Sequence, residues 1–497
     1  MNKQGAYILA IDQGTTGSRA IIFNRQGTIV SDAYQEFKQY FPKPGWVEHD
    51  AEEIWRSCVA VIQQALRKAN ISSSKIAAIG ITNQRETTVV WNRRTFQPVH
   101  RAIVWQCRRT AALCASERFK KYSGFIRNKT GLVLDAYFSG TKIKWLLDEV
   151  KGLRRRAQRG DICFGTIDSW LIWNLTGGKV HATDTTNASR TLLFNIRTLQ
   201  WDKELLKIFN VPSKILPEVK GSGSIFGYTQ SGVAGLAASI PIAAVMGDQQ
   251  SALYGQGCHT AGTVKNTYGT GCFLVLNTGK KFIHSSEGLL TTLACDARGK
   301  PVYALEGSVF IAGAAIQWLR DQLGVLQRSG DSEKMIQGLK DTVGVYFVPA
   351  FTGLGAPYWN SEARGLICGL TRGANKNHIV RAALEAMAYQ TKDVFDLMQK
   401  YSQSRIKELK VDGGACQNNF LMQFQSDMLG IPIVRPKIVE STAKGVAHLA
   451  GLTVGLWRKK DLESFQQKDR VFVSAMAVAQ RKEKYEGWRV AVGRALN

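Results

Sequence analysis

Short apolar runs separated by glycine turns begin the chain. Residues 7–11, 20–23 and 28–30 are rich in Ile and other apolar side chains, and glycines lie in both gaps. Apolar, β-branched runs punctuated by Gly are typical of a strand meander. The pattern therefore predicts three strands joined by turns.

Longer segments alternate between helix and strand periodicity. Residues 51–69 carry apolar side chains at the spacing of one helix face, and the continuous apolar run 76–81 follows. Residues 409–411 and 418–429 form another strand and helix around a Gly pair. This alternation indicates an α/β fold.

A second glycine hairpin lies near the middle of the chain, where residues 263–267 and 272–276 flank Gly269 and Gly271. Because its parts follow the order of the first hairpin, it suggests an internal duplication. We expect two lobes, 1–254 and 255–497, with the ligand site in the cleft between them.

Length and composition favour a globular protein of 497 residues with 44% hydrophobic content. The first apolar run is too short for a signal peptide, and the run 234–247 is shorter than the roughly 20 residues that span a bilayer. The nine cysteines form no Cys-x-x-Cys pair. We therefore expect a cytoplasmic protein without membrane insertion.

The net charge is +26, from 65 basic and 39 acidic residues. Such a surface attracts polyanions, but the basic residues are dispersed and accompany no nucleic-acid-binding motif. The charge therefore predicts a solvated basic surface and no specific nucleic-acid partner.

Residues 12–19, Asp-Gln-Gly-Thr-Thr-Gly-Ser-Arg, follow the first predicted strand. Asp12 can hold Mg²⁺, the glycines expose backbone N–H groups, and Thr15, Thr16 and Arg19 can donate to phosphate oxygens. An ordinary hairpin turn with an Asx cap is the alternative. Neither a Walker A motif nor Gly-x-Gly-x-x-Gly occurs in the chain.

Two mid-chain segments add polar groups. Residues 266–271, Asn-Thr-Tyr-Gly-Thr-Gly, could grip phosphates from the opposite lobe, and Asp248 ends the apolar run 242–246. Ligands commonly bind at the carboxyl ends of such strands. A ligand-binding Asp248 and a helix N-cap are equally compatible with the sequence.

Residues 82–87, Thr-Asn-Gln-Arg-Glu-Thr, also end a predicted buried strand. Arg85 and Glu86 could together bind the hydroxyls of a polyol, or they could form a structural ion pair. Trp105 and Tyr137 could wall such a pocket, although single aromatic residues usually belong to a core.

Together these segments resemble the FGGY family of carbohydrate kinases, and the resemblance covers nearly the whole chain. It also includes residues 42–50, 104–109, 137–142, 183–190 and 349–359. The resemblance implies an α/β fold of two actin-like (ribonuclease H-like) ATPase lobes with an interdomain cleft. It further implies Mg²⁺-dependent phosphorylation of glycerol by ATP to sn-glycerol 3-phosphate in glycerol catabolism, and assembly as a homodimer or homotetramer.

The resemblance also implies roles for individual residues. Asp248 would be the general base, with Asp12 and Asp248 near Mg²⁺. Residues implied to bind glycerol are Arg85, Glu86, Trp105, Tyr137, Asp248, Gln249 and Phe273. Residues implied to contact the nucleotide are Thr15, Thr16, Gly17, Arg19, Thr270, Gly313, Gln317, Gly414 and Asn418.

Several residues depart from the family pattern, including Ala136, Cys416, Gln417, Lys444 and His448, and two further departures concern phosphate binding. Gly17 stands where many members have Ser, so it offers only a backbone N–H. The loop 231–239 lacks the basic residue with which some members bind fructose 1,6-bisphosphate, and no Lys or Arg lies between Lys220 and Lys265. Because phosphates need charge-assisted donors, we expect no inhibition by fructose 1,6-bisphosphate through this loop.

Three rival interpretations stay open at this point. The first is a kinase of the same family that acts on a pentulose, a hexulose or a sugar acid. The second is an actin-like or chaperone-like ATPase without a small phosphate acceptor. The third is a basic protein that binds nucleic acid or membrane.

Overall fold

Two large β-sheets organise the computed structural model, which describes residues 6–237, 239–285, 287–360, 362–402 and 405–497. The first strands in chain order are β1 (Tyr7–Gln13), β2 (Gly17–Phe23), β3 (Ile29–Glu36), β4 (Glu48–His49), β5 (Ile76–Asn83), β6 (Val89–Asn92), β7 (Ala102–Ile103), β8 (Ile162–Gly165), β9 (Ala182–Asp184), β10 (Phe194–Asn195), β11 (Gln200–Trp201), β12 (Glu218–Lys220), β13 (Gly227–Tyr228) and β14 (Pro241–Gly247). The later strands are β15 (Val264–Tyr268), β16 (Cys272–Gly279), β17 (Leu290–Cys295), β18 (Pro301–Val309), β19 (Tyr346–Val348), β20 (Leu366–Cys368), β21 (Leu409–Asp412), β22 (Ile433–Pro436) and β23 (Lys468–Phe472).

Helices connect and cover these strands. The helices of the first half are α1 (Ala51–Ala69), α2 (Ala111–Ala115), α3 (Glu117–Lys120), α4 (Ser123–Thr130), α5 (Ser139–Glu149), α6 (Leu153–Arg159), α7 (Ile167–Leu175), α8 (Thr185–Ala188), α9 (Lys203–Phe209) and α10 (Asp248–Gly255). Those of the second half are α11 (Gly313–Asp321), α12 (Ser332–Met335), α13 (Lys376–Tyr401), α14 (Asn419–Leu429), α15 (Ser441–Thr453), α16 (Lys459–Ser464) and α17 (Val478–Leu496).

The first sheet has the order β13-β14-β5-β1-β2-β3. β1, β2 and β3 form the predicted antiparallel meander, while β5 and β14 extend the sheet in parallel. The predicted helix 51–69 is confirmed as α1. It begins after Asp50, whose carboxylate accepts hydrogen bonds from the amides of Glu52 and Glu53 at 2.8 and 3.2 Å.

The second sheet has the order β17-β18-β16-β15-β21-β22-β23 and repeats the same pairing scheme. β15 and β16 form the antiparallel hairpin, and β21 and β22 extend the sheet in parallel from β15. The internal duplication that the two glycine hairpins predicted is therefore present in the strand order.

Helices α10 and α15 cross closely between the two sheets. A Cβ atom on Gly255 would lie 2.0 Å from the Ser441 carbonyl oxygen, and one on Gly445 would lie 1.9 Å from the Ser251 carbonyl oxygen. Only glycine permits this approach. α15 also packs its Val446 against the apolar face of the first sheet. The lobe boundary at residue 254, which falls within α10, stays a prediction.

Three further expectations concern composition and loops. All nine cysteines are free, and most are buried. None of the helices in the described ranges has the length and apolar character needed to cross a bilayer. In the loop 231–239, Ala238 lies outside the described residues.

Candidate active site

The loop between β1 and β2 is braced by backbone and side-chain hydrogen bonds. The Gly14 amide donates to the Gly17 carbonyl at 2.9 Å. Gln39 donates from its side chain to the Thr15 carbonyl at 3.0 Å, and Gln84 donates to the Gly14 carbonyl at 3.0 Å. The loop is a hairpin turn, as the alternative interpretation expected. The hydrogen bonds from Gln39 and Gln84, which lie outside the turn, also suit a loop whose backbone amides must keep a fixed arrangement.

Asp12 and Arg19 lie opposite each other on β1 and β2. Burial raises the pKa of Asp12 to about 7, with further contributions from the Asp248 and Glu440 carboxylates, while Arg19 opposes the shift. Arg19 reaches Glu440 of the segment before α15, with Nη1 and Oε1 2.5 Å apart. Two sequence-distant acidic groups therefore converge near Asp12.

Arg85 and Asp248 meet where β5 and β14 end. Arg85 Nε lies 3.1 Å from Asp248 Oδ1, and the Asp248 side chain is 30% exposed. Asp248 is the first residue of α10 and Gly247 is its N-cap, so the alternative role of Asp248 as an N-cap is not observed. A Cβ atom on Gly247 would lie 2.7 Å from Arg85 Cγ and Cδ, so the glycine leaves room for the Arg85 side chain at the end of β14.

A buried charge network links Arg85 to both sheets. Glu306 on β18 accepts from Arg85 at 2.5 and 3.2 Å and from Arg190 at 2.9 Å. Arg190 also donates to Glu86 at 2.5 Å, whereas Arg85 Nε is 3.9 Å from the Glu86 carboxylate. The simple Arg85–Glu86 pair of the alternative interpretation is therefore weaker than the pairs each residue makes elsewhere.

The electrostatics of this network follow from burial and close guanidinium groups. Burial alone would raise the pKa of Glu306, but Arg190 and Arg85 lower it to about 2. Burial raises the pKa of Glu86 despite the neighbouring Arg190 and Arg85. Glu306 is thus held as a carboxylate between two cations.

Three aromatic side chains converge beside this network. The Trp105 ring lies 5.6 Å from Tyr137 and 6.4 Å from Phe273, both in edge-on geometry. Trp105 also donates from Nε1 to Thr15 Oγ1 at 2.9 Å. The bond connects the aromatic wall to the β1–β2 loop and leaves the Thr15 hydroxyl proton free to be donated elsewhere.

Gln249 follows Asp248 on α10 and is buried. Its Oε1 accepts from Lys265 Nζ at 2.5 Å, and the same ammonium group donates to Thr267 at 2.7 Å. Burial lowers the pKa of Lys265 to about 8, against the raising effects of Asp412 and Asp248.

Two glycine-containing turns lie at the cleft side of the second sheet. The Gly313 amide donates to the Gly269 carbonyl at 3.0 Å, and the Ala312 amide donates to the Thr270 carbonyl at 2.8 Å. A Cβ atom on Gly313 would lie 2.6 Å from the Gly269 oxygen. The start of α11 is therefore packed directly on the β15–β16 turn that contains Thr270.

The remaining predicted nucleotide residues lie on neighbouring elements. Gly413 has φ +84°, and a Cβ atom there would lie 2.4 Å from the Tyr268 carbonyl oxygen, so Gly413 packs directly on β15. The next residue, Gly414, is exposed. Asn418 caps α14 by accepting from the Leu421 amide at 2.8 Å. Gln317 is an exposed residue of α11. Contact of these residues with a nucleotide stays a prediction.

Asp12 and Asp248 fit a magnesium ion by their chemistry. Burial chiefly raises the pKa of Asp12, and repulsion from the Asp248 carboxylate adds to the shift, so a divalent cation would relieve that repulsion. The described residues contain no cluster of three or more His, Cys, Asp or Glu side chains arranged as a metal site.

Comparison with known proteins identifies the family. Residues 7–255 match the N-terminal domain of the FGGY family of carbohydrate kinases, and residues 264–454 match its C-terminal domain. The chain belongs to the FGGY family of carbohydrate kinases. It is 57% identical to the glycerol kinase of Thermoanaerobacter pseudethanolicus over 99% of this chain and 98% of that protein. It is 55% identical to glycerol kinase 2 of Thermotoga maritima over 99% of both.

Solved structures of the FGGY family share the fold. Plasmodium falciparum glycerol kinase with ADP superposes with a TM-score of 0.91 at 39% identity, over 99% of this chain and 98% of that one. Gluconate kinase from Lactobacillus acidophilus superposes with a TM-score of 0.87 at 22% identity, over 98% and 97% of the two chains. The second likeness concerns the fold alone.

Sequence analysis missed three charged residues of this FGGY site. Glu306 lies within the mostly apolar strand β18, and Lys265 is buried on β15, whose sequence Val-Lys-Asn-Thr-Tyr is largely polar. Arg190 follows α8 in a segment that was recognised only as part of the family pattern. For Glu306 the available signal was a charged residue inside an otherwise apolar run, because such a residue is rarely buried without a partner.

Proposed function

We propose that the chain phosphorylates glycerol with ATP and releases sn-glycerol 3-phosphate and ADP. Relatives 55% and 57% identical over nearly the whole chain are named glycerol kinase. The observation that carries the mechanism is the meeting of Asp248 and Arg85 beside the ring cluster of Trp105, Tyr137 and Phe273. A carboxylate, a guanidinium group and apolar rings together suit a small polyol.

Substrate binding in this proposal divides between polar and apolar contacts. Arg85 donates to glycerol hydroxyls, while Glu86 and Asp248 accept from them. Gln249 adds its amide, because Lys265 already occupies its oxygen. Trp105, Tyr137 and Phe273 surround the substrate, with Trp105 and Phe273 packing on its carbon chain. These roles match the residue chemistry, since a hydroxyl both donates and accepts.

Phosphoryl transfer then proceeds in line. The primary hydroxyl oxygen of glycerol forms a bond to the γ-phosphorus, the bond from that phosphorus to the bridging oxygen of ADP breaks, and Asp248 takes the hydroxyl proton. Thr15, Thr16, Arg19 and the amide of Gly17 bind phosphate oxygens. Positioning of the two reactants supplies much of the rate enhancement in such reactions.

The nucleotide is held between lobes 1–254 and 255–497, with contributions from Thr270, Gly313, Gln317, Gly414 and Asn418. Asp12 and Asp248 would hold Mg²⁺. A bound Mg²⁺ neutralises charge on the phosphate oxygens.

The free cysteines support a reducing, cytoplasmic setting. Assembly of two or four copies stays a prediction.

The test is ADP release measured with and without glycerol at fixed free Mg²⁺. We expect turnover to depend on glycerol and to be low with erythritol, xylulose and gluconate, because those substrates need a larger pocket. Equal turnover without any acceptor would support the ATPase interpretation. A higher kcat/KM for xylulose or gluconate than for glycerol would contradict the proposed substrate.

A further inference from the structure

Tyr34 extends a row of functional side chains across the first sheet. In the β1–β2–β3 meander, Asp12 lies opposite Arg19, and Arg19 lies opposite Tyr34. Directly opposed residues of antiparallel strands point to the same face of a sheet. Tyr34 is therefore the third member of a row that begins with the proposed magnesium ligand and continues with a proposed phosphate-binding arginine.

The Tyr34 side chain contacts three residues of the β1–β2 segment. The Arg19 guanidinium carbon lies 5.4 Å from the centre of the Tyr34 ring, within the range of cation–π attraction. The Tyr34 hydroxyl lies 3.5 Å from Thr16 Oγ1. A Cβ atom on Gly17 would lie 2.6 Å from the Tyr34 hydroxyl oxygen. The phenol thus fills the space that a side chain at position 17 would occupy.

Besides the Tyr34 ring, Arg19 has Glu440 as an ion-pair partner. Its Nη1 lies 2.5 Å from Glu440, and both side chains are partly exposed, at 30% and 41%. A partly exposed arginine can turn towards such a carboxylate and away from the loop. Tyr34 lies on β3 directly opposite Arg19, so attraction to its aromatic face opposes that movement and keeps the guanidinium over the row.

We propose that Tyr34 is a positioning residue for the phosphate-binding loop: its ring holds the Arg19 guanidinium where the terminal phosphates of ATP bind. The inference rests on the proposed function, because it requires Arg19 to bind phosphate. The aromatic ring of Tyr34 is the part of the side chain that holds Arg19. The hydroxyl contact with Thr16 is at the long limit for a hydrogen bond, so it contributes little.

The alternative is that Tyr34 only supports the edge strand β3. Tyr34 is 45% exposed. Substitution of such a residue changes the free energy of unfolding little. A positioning role therefore predicts weaker nucleotide binding at unchanged Tm, whereas a role in strand stability predicts a lower Tm.

The test compares Tyr34→Phe, which keeps the aromatic face, with Tyr34→Leu, which removes it. KM for ATP and KM for glycerol are measured separately, and binding of the β,γ-methylene analogue of ATP is measured by calorimetry with Mg²⁺. We expect Tyr34→Leu to raise KM for ATP and Kd for the analogue about two- to fivefold, as an exposed cation–π contact predicts. KM for glycerol and Tm should stay unchanged, and Tyr34→Phe should resemble the wild type.

Tyr228→Leu is the matched control, because Tyr228 is 56% exposed and lies on β13 at the opposite edge of the same sheet. It should leave both KM values and Kd unchanged. The inference is overturned if Tyr34→Leu has no effect on nucleotide affinity. It is also overturned if Tyr34→Leu raises KM for ATP and KM for glycerol equally, or if Tyr34→Phe weakens nucleotide binding as much as Tyr34→Leu does. A fall in Tm that accompanies the loss of nucleotide affinity would overturn it as well.

Failure of this inference is distinguishable from failure of the proposed function. Glycerol-dependent turnover by the wild type with no change of analogue affinity in Tyr34→Leu contradicts only the role of Tyr34. Absence of glycerol-dependent turnover, with the expected loss of analogue affinity in Tyr34→Leu, contradicts the proposed reaction and supports the positioning role.

Discussion

At the scale of single residues, Asp248 is the group on which the proposed chemistry depends. Asp248→Asn keeps the side-chain shape but removes the proposed proton acceptor and one of the two charges proposed to face Mg²⁺. Loss of a general base should lower kcat about 10²- to 10⁴-fold. Because the side chain is 30% exposed, Tm should change little. Near-normal kcat with unchanged Mg²⁺ dependence would contradict the assignment.

Glu306 offers a second prediction at this scale, because it holds Arg85 without belonging to the first sheet. Glu306→Gln removes the charge that Arg85 and Arg190 share. We expect a loss of about 1.5–3 kcal/mol in transition-state stabilisation, or roughly 10- to 150-fold in kcat/KM for glycerol. KM for ATP should change much less.

Glu385→Gln is the matched control for that experiment. Glu385 is also buried and pairs with Arg381 at 2.9 Å, but both residues belong to α13. This control should reduce stability while leaving KM for glycerol unchanged. Equal effects of the two substitutions on KM for glycerol would mean that Glu306 acts only through stability.

At the scale of elements, the β1–β2 loop depends on a buried polar network centred on β4. His49 Nε2 lies 2.6 Å from Gln39 Oε1 and its Nδ1 lies 3.4 Å from Gln84 Nε2, and both glutamines donate to loop carbonyls. Burial lowers the pKa of His49 to about 3. The histidine is therefore neutral wherever the protein is folded near neutral pH.

This shift predicts a pH dependence of stability. Below its ordinary pKa the unfolded chain protonates His49 while the folded chain does not, so stability is lost as pH falls from about 6.5 towards 3. In urea unfolding, the loss between pH 7 and pH 5 should be about 2 kcal/mol smaller in His49→Gln than in the wild type. Identical pH dependence of the two proteins would contradict the neutral, buried state of His49.

The loop 231–239 supports a prediction about regulation. Its turn Val233–Gly235 borders a cavity of about 560 Å³ whose lining residues in the described part of the chain are all uncharged, Trp55 and Gln63 among them. A bisphosphate would find backbone amides but no guanidinium group there. We expect initial rates to be unaffected by fructose 1,6-bisphosphate at fixed free Mg²⁺, with glucose 6-phosphate as the anion control. Saturable inhibition specific to the bisphosphate would contradict this expectation.

At the scale of the whole molecule, the charge of +26 predicts weak, salt-sensitive attraction to polyanions. Binding to a short DNA duplex should fall at least about tenfold between 50 and 200 mM salt. Two duplexes of unrelated sequence should bind equally. Sequence-selective binding that persists at 200 mM salt would indicate a nucleic-acid function beyond the kinase activity.

The sequence by itself determined several of the elements and where the candidate site lies. The limits of α1 and the strands on either side of the β1–β2 turn follow from local periodicity and glycine placement, which neighbouring residues decide. Asp12, Arg85 and Asp248 were singled out because they lie at or just after the ends of β1, β5 and β14, which meet at one sheet edge. Roles of named residues came from the family resemblance and not from periodicity.

Only the tertiary structure decided which charges pair. Arg85 and Glu86 are adjacent, yet Glu86 has φ +60° and bonds Arg190, while Arg85 bonds Glu306, which lies 221 positions away. Likewise, Tyr34 reaches Arg19 only through the register of β2 and β3. Such pairings depend on how strands and lobes pack. Because a buried charge has lost its hydration, it pairs with the partner that the fold places best, even where another charged residue lies nearer in sequence.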